Sequence, residues 1–134
     1  MRILGIDYGT KRIGLALSDE LGYTAQPLQY VEAEKFAQIG EIVRQREVTK
    51  IVVGLPRNMD GTYGPSAEAA KALIEKLKLL VSVPIVTWDE RLTTSQANRI
   101  MIETNTSRAK RKEKVDSMAA QLLLQSYLDA HATP

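Results

Sequence analysis

The sequence predicts an α/β fold: a five-stranded mixed sheet, with three antiparallel leading strands followed by parallel ones, flanked by helices. Three observations carry this expectation. The chain up to Val31 holds three β-prone runs separated by turn residues, with no helical period. From Glu34 onward, β-branched runs alternate with segments of 3.6-residue apolar period. No repeat, low-complexity tract or long linker interrupts the pattern, so residues 1–134 are expected to form one domain, frayed from about residue 130.

Arg2 to Asp7 is an apolar run with little alternation, as expected of a strand buried on both faces. Gly9-Thr10-Lys11 supplies a turn, and Arg12 to Ser18 reads as the second arm of a hairpin. Tyr23 to Val31 is the third strand, at an edge or interrupted, because Pro27 lies inside it. Phe36, Ile39, Ile42 and Val43 form one face of a helix over Glu34–Glu47. Lys50 to Gly54 is a β-branched strand running into a long turn at residues 55–61. An Ala-rich helix follows from Pro65 to Leu80, then a strand from Val83 to Trp88. Thr93 or Thr94 would cap a helix running to about Glu103. A basic loop leads to a last helix over Val115–Ala130, with Met118, Ala119, Leu122, Leu123 and Tyr127 on one side.

Composition excludes several chemistries. Without cysteine there is no disulfide framework, thiolate metal site or cysteine nucleophile. No apolar run approaches the roughly 18–20 residues of a membrane span, and no signal peptide is expected, because the apolar run after Met-Arg is too short for its apolar region. The expected location is therefore cytoplasmic, with no membrane partner. The net charge of +2 is unevenly placed. Arg108, Lys110, Arg111, Lys112 and Lys114 stand together with only Glu113 among them, and the remainder is slightly acidic. A local basic patch suits a polyanionic partner, although a solvated Lys/Arg loop has the same composition.

In such sheets, ligands collect beyond the C-terminal ends of parallel strands. Asp7 ends the first strand, Asp89-Glu90 ends the fifth, and Asp116 falls in the expected first turn of the last helix. Converging carboxylates repel one another unless cations neutralise them. Mg²⁺ and Mn²⁺ prefer oxygen ligands and leave positions open for phosphate oxygens and water. Taken singly, an Asp before a turn or in a first helical turn has an ordinary structural use. Periodicity does not choose between Asp89 and Glu90, since neighbouring strand residues face opposite sides.

Four segments together carry a family resemblance: DYGTKRIGLALSD, VVGLPRNMDGTYGP, WDERLTT and VDSMAAQLLLQSYLD. They resemble the bacterial YqgF (RuvX) family, which is Holliday-junction-resolvase-like and implicated in pre-16S ribosomal RNA processing. The resemblance implies an RNase H-like fold and Mg²⁺- or Mn²⁺-dependent hydrolysis of phosphodiester bonds. It favours processing of the 5′ end of pre-16S ribosomal RNA, in association with ribosomal precursors. Branched-DNA resolution by a homodimer, or a non-catalytic ribosome-assembly module, stand as alternatives. Residue by residue, Asp7, Glu90 and Asp116 match the family's catalytic metal ligands. A fourth acid has only Asp89, Asp60 and Glu113 as candidates.

Lys11, Arg12, Arg57, Asn58 and Arg91 flank the same strand ends and are candidate nucleic-acid contacts, as are Arg108, Lys110, Arg111 and Lys112. Arg91 serves equally well in a structural ion pair. Tyr8 and Tyr63 could stack on a base, but packing is the better use of each; Trp88 belongs to the core, and His131 has no catalytic role. Asp-x-Gly-Thr is also similar to the first phosphate loop of actin-like ATPases, whose second loop of the Asp-x-Gly-Gly kind this sequence lacks.

Overall fold

The computed structural model describes residues 2–55, 64–89 and 108–131, with backbone alone for 108–117. Its sheet is built from Arg2–Asp7 (β1), Arg12–Ser18 (β2), Ala25–Glu32 (β3), Val48–Leu55 (β4) and Ile85–Asp89 (β5). The order across the sheet is β3-β2-β1-β4-β5. β1 pairs antiparallel with β2, and β2 with β3, whereas β1, β4 and β5 run parallel. The mixed sheet with three antiparallel leading strands is thus as expected. Pro27 is accommodated because β3 is an edge strand, where a missing N–H costs no ladder bond on the open side.

Alternation along the strands sorts side chains onto two faces. Leu4, Ile6, Ile13, Leu15, Ile51 and Val53 meet the helices Gln38–Gln45 (α1) and Pro65–Lys78 (α2) through Ile39, Val43, Leu73, Ile74 and Leu77. Ile3, Ala16, Ala25 and Val52 meet the long helix Arg108–Ala130 (α3) through Ala120, Leu124, Tyr127 and Leu128. In α2, Ala67, Ala70, Leu73, Ile74 and Leu77 are buried at three- and four-residue spacing, with Pro65 at its start.

Several boundaries differ from expectation. The third strand starts at Ala25 rather than Tyr23, because Asp19 Oδ1 accepts the Tyr23 and Thr24 N–H groups at 2.7 and 3.1 Å and holds them in a turn. The first helix is shorter, Gln38–Gln45, after a 3-10 turn at Ala33–Lys35. The largest correction concerns the basic run. Arg108–Lys114 is not a loop but the first two turns of α3. Arg, Ala, Lys and Glu are strong helix formers and the run holds no Gly, Pro or β-branched residue, so charge does not break it. His131 is the last described residue. Its ring stacks on Tyr127 at 4.1 Å and meets Trp88 edge-on at 5.4 Å.

α3 is fastened to the edge strand by polar clamps. Gln125 Oε1 accepts the Ala25 N–H at 3.0 Å, and Gln121 Nε2 donates to the Ala25 carbonyl at 3.1 Å. Among the described residues, no helix is long and apolar enough to cross a membrane.

Candidate active site

The C-terminal ends of β1, β4 and β5 lie side by side, at Asp7, Leu55 and Asp89. Which face each residue takes decides what can meet. Leu4 and Ile6 belong to the core under α1 and α2, and Ile3 to the core under α3, so alternation carries Gly5 and Asp7 to the α3 face. Tyr8, one residue on, packs against Leu55, Ala67 and Ala70 on the opposite face, which makes packing its role.

Asp7 occupies a clearing made of glycines. Gly14 is its partner across the ladder with β2. On the other side Ile6 pairs with Val53, which brings Asp7 alongside Gly54, itself paired with Trp88. Two residues back, Gly5 lets α3 come close: a Cβ there would stand 2.8 Å from Leu124 Cβ and 3.4 Å from the Ala120 carbonyl oxygen. The positions beside Asp7 on its face, 14 and 54, are glycines, and a helix passes directly over Gly5. Gly9 has a separate reason. A Cβ on it would collide with the Arg12 carbonyl oxygen, so the tight hairpin after Asp7 excludes side chains there.

Helix α3 brings position 116 to this end of the sheet. Ala120 and Leu124 cover Gly5, and 116 lies one helical turn before Ala120 on the same row. It is the ninth residue of the helix rather than part of its first turn. The macrodipole explanation for Asp116 is therefore lost, since that effect fades beyond the first turn.

β5 fixes the face that Asp89 takes. Ile85 packs with the α1/α2 core, Val86 and Trp88 with the α3 core, so Asp89 falls on the face away from Asp7. Glu90, Arg91, Arg57, Asn58, Asp60 and Tyr63, with the expected helix at about 93–103, lie outside the described residues. For Arg108, Lys110, Arg111, Lys112, Glu113 and Asp116 the backbone alone is placed, on α3. Among the described residues, no group of three His, Asp or Glu gathers; of the three expected ligands, only the Asp7 side chain is among them.

The hairpin cations are placed differently from each other. Lys11 is exposed, and its carbonyl accepts the Ala33 N–H at 2.9 Å. The Arg12 guanidinium lies over the Tyr30 ring, 5.0 Å from its centroid. Sequence reasoning missed Tyr30, since a tyrosine in an edge strand gives no signal until the neighbouring strand is known. Trp88 stands at the margin of the core rather than within it, half-buried, with Nε1 donating to Ser126 Oγ at 3.2 Å.

Comparison with known proteins agrees with this architecture. A family model described as "RuvX: Holliday junction resolvase" matches residues 1–130. A protein of Bacillus thuringiensis (strain Al Hakam) named "Putative pre-16S rRNA nuclease" is 48% identical over 136 residues, covering 97% of this chain and 99% of its own. Among solved structures, Thermus thermophilus RuvC with a Holliday junction substrate aligns with a TM-score of 0.56 at 15% identity, over 99% of this chain and 97% of that one. The fowlpox virus resolvase with Holliday junction DNA aligns with a TM-score of 0.59 at 12% identity, over 99% and 100%. At such identities these two likenesses show the fold, which is RNase H-like.

Proposed function

The chain belongs to the RuvX family, and from that premise we propose that it is a metal-dependent endonuclease acting on structured nucleic acid, with pre-16S ribosomal RNA as its substrate. The observation that carries the site is the glycine-flanked Asp7 beneath α3, with position 116 one turn from the residue that covers Gly5. Its substrate comes from the names of relatives alike over nearly their whole length.

Asp7, Glu90 and Asp116 would hold Mg²⁺ or Mn²⁺. The donor set fits a hard cation: it is all oxygen, cysteine is absent, and the only histidine is stacked on Tyr127. When bound, the ion supplies charge neutralisation and Lewis-acid activation for phosphodiester hydrolysis. The chain's own part is positional. The Asp7 carboxylate is fixed at a strand end rather than on a loop, and Gly14 and Gly54 leave room beside it for a phosphodiester. Lys11 and Arg12, Arg57, Asn58 and Arg91, and the basic turns of α3 would hold the polyanion around it.

The test is cleavage of pre-16S ribosomal RNA and of a four-way DNA junction with Mn²⁺, comparing wild type with Asp7→Asn and Asp116→Asn. Each substitution is expected to lower the rate by about a hundredfold or more, the scale of losing one transition-state electrostatic partner. Melting supplies a readout independent of turnover. Mn²⁺ at about 100 times its Kd stabilises the wild type by about 2.7 kcal/mol and leaves Asp7→Asn unmoved. Equal cutting by all three proteins would sink the metal-site reading. The family's description favours a second reading, junction resolution by a symmetric pair of chains; preferential cutting of the junction would select it.

A further inference from the structure

One feature of the nuclease's α3 face lies outside the carboxylate site. Arg12 shares that face with Gly14 and hence with Asp7, because Ile13 and Leu15 belong to the opposite core. Tyr30 precedes Val31, another member of that core, and comes to the same face on the neighbouring strand. The guanidinium over the ring therefore lies one to two strand spacings, about 5–10 Å, across the sheet from Asp7, and Arg12 stands two residues, about 7 Å, further along β2 than Gly14, the partner of Asp7. Both side chains are partly exposed. On the Arg12 side of the pair opens a recess of about 380 Å³ lined by Thr10, Lys11, Arg12, Glu32, Ala33 and Glu34, with Tyr30 behind the guanidinium rather than in its wall.

We propose that Arg12 and Tyr30 form a stacking platform for one unpaired nucleotide of the substrate, next to the cleavage site. Arg guanidinium planes and aromatic rings are the surfaces on which nucleobases stack in single-strand recognition, and they tolerate any base because every base has a π-face. The volume of the recess lies within the range of small-ligand sites. The charge pattern sets the orientation. Glu34 repels phosphate, and Glu32, whose Oε2 meets Lys35 Nζ at 3.5 Å, accepts hydrogen bonds from base amino groups, so the base enters the recess and the backbone passes Lys11. The substrate is then a strand with an unpaired flank at the cut, rather than a fully paired helix. This deepens the nuclease reading and rests on its nucleic-acid substrate.

The experiment measures binding without turnover, in EDTA, of oligoadenylate and of a blunt RNA duplex to wild type, Tyr30→Phe and Tyr30→Leu. Phe keeps the π-face, and Leu keeps apolar bulk without one. The expected result is a loss of roughly tenfold for oligoadenylate with Tyr30→Leu, the scale of one base–aromatic stack. Tyr30→Phe binds as wild type does, and duplex binding is unchanged in both variants. Equal oligoadenylate affinity in all three proteins overturns the platform, as does an equal loss for duplex and single strand. Melting of each variant confirms that folded proteins are compared. Cleavage of pre-16S ribosomal RNA by the same preparations separates the two ideas: cutting without Tyr30 dependence leaves the nuclease reading standing and removes the platform. Tyr30-dependent binding without cutting does the reverse.

Discussion

Replacing Gly5 by alanine tests whether α3 truly rests on the strand that carries Asp7. The added Cβ would lie 2.8 Å from Leu124 Cβ, and Leu124 and Ala120 are fully buried. Carbon atoms pack at about 3.5–4.0 Å, so the helix must retreat by roughly 1 Å. Such overpacking costs about 1–3 kcal/mol. Gly5 has no positive φ, so alanine also restricts the unfolded chain and returns about 0.4–1 kcal/mol. The net expectation is a loss of about 1–2 kcal/mol. Urea unfolding followed through Trp88 suits the measurement, because this single tryptophan touches Tyr127 of α3 at 5.4 Å. With m of about 1–3 kcal/mol per molar, the midpoint falls by roughly half to one molar.

Gly40→Ala is the internal control. It lies inside α1, and a Cβ there meets Leu80 Cβ at an ordinary 3.5 Å. The same substitution should there stabilise by about 0.5–1 kcal/mol, through helix propensity. Gly5→Ala as stable as wild type would refute the close approach of α3 to β1. On the metal-site reading, a 1 Å retreat of α3 also lowers cleavage by up to about a hundredfold.

Ser18→Ala should cost about 1–3 kcal/mol in the same urea assay, because the buried Ile3 N–H donates to Ser18 Oγ at 2.8 Å and would lose its acceptor; an unchanged midpoint would show that another acceptor replaces it. The Thr24 and Tyr23 N–H groups hold the Asp19 carboxyl below its ordinary value of 3.8. A depressed folded value means that its contribution is present above the unfolded value and disappears as pH falls through the folded one. Asp19→Asn should therefore lose less stability than wild type on acidification below the ordinary carboxylate range, and parallel acid-unfolding curves would contradict this.

Much of the architecture was legible in the residues. Period-two and period-3.6 apolar patterns distinguish strands from helices, and Pro27 pointed to an edge because proline lacks a ladder donor. Asp7 could be singled out as a strand-end acid before a turn. The beginning of α3 was not legible. Clustered charge resembles a solvated loop in sequence, whereas helix propensity and continuation from the packed turns govern the fold. The face taken by Asp89 needed the neighbouring core contacts, since alternation gives relative sides but not which side is which.

By itself, then, the sequence determined the order of strands and helices and the types of residue that chemistry could use: carboxylates without thiols, and a concentrated basic run. Tertiary structure alone decided neighbours. Gly5, Gly14 and Gly54 come from three strands, and only lateral pairing makes them a clearing around Asp7. Arg12 and Tyr30 are far apart along the chain and meet only because β2 and β3 pair. Local periodicity fixes which side of an element a residue takes; contact across elements depends on register, which is set when the faces pack.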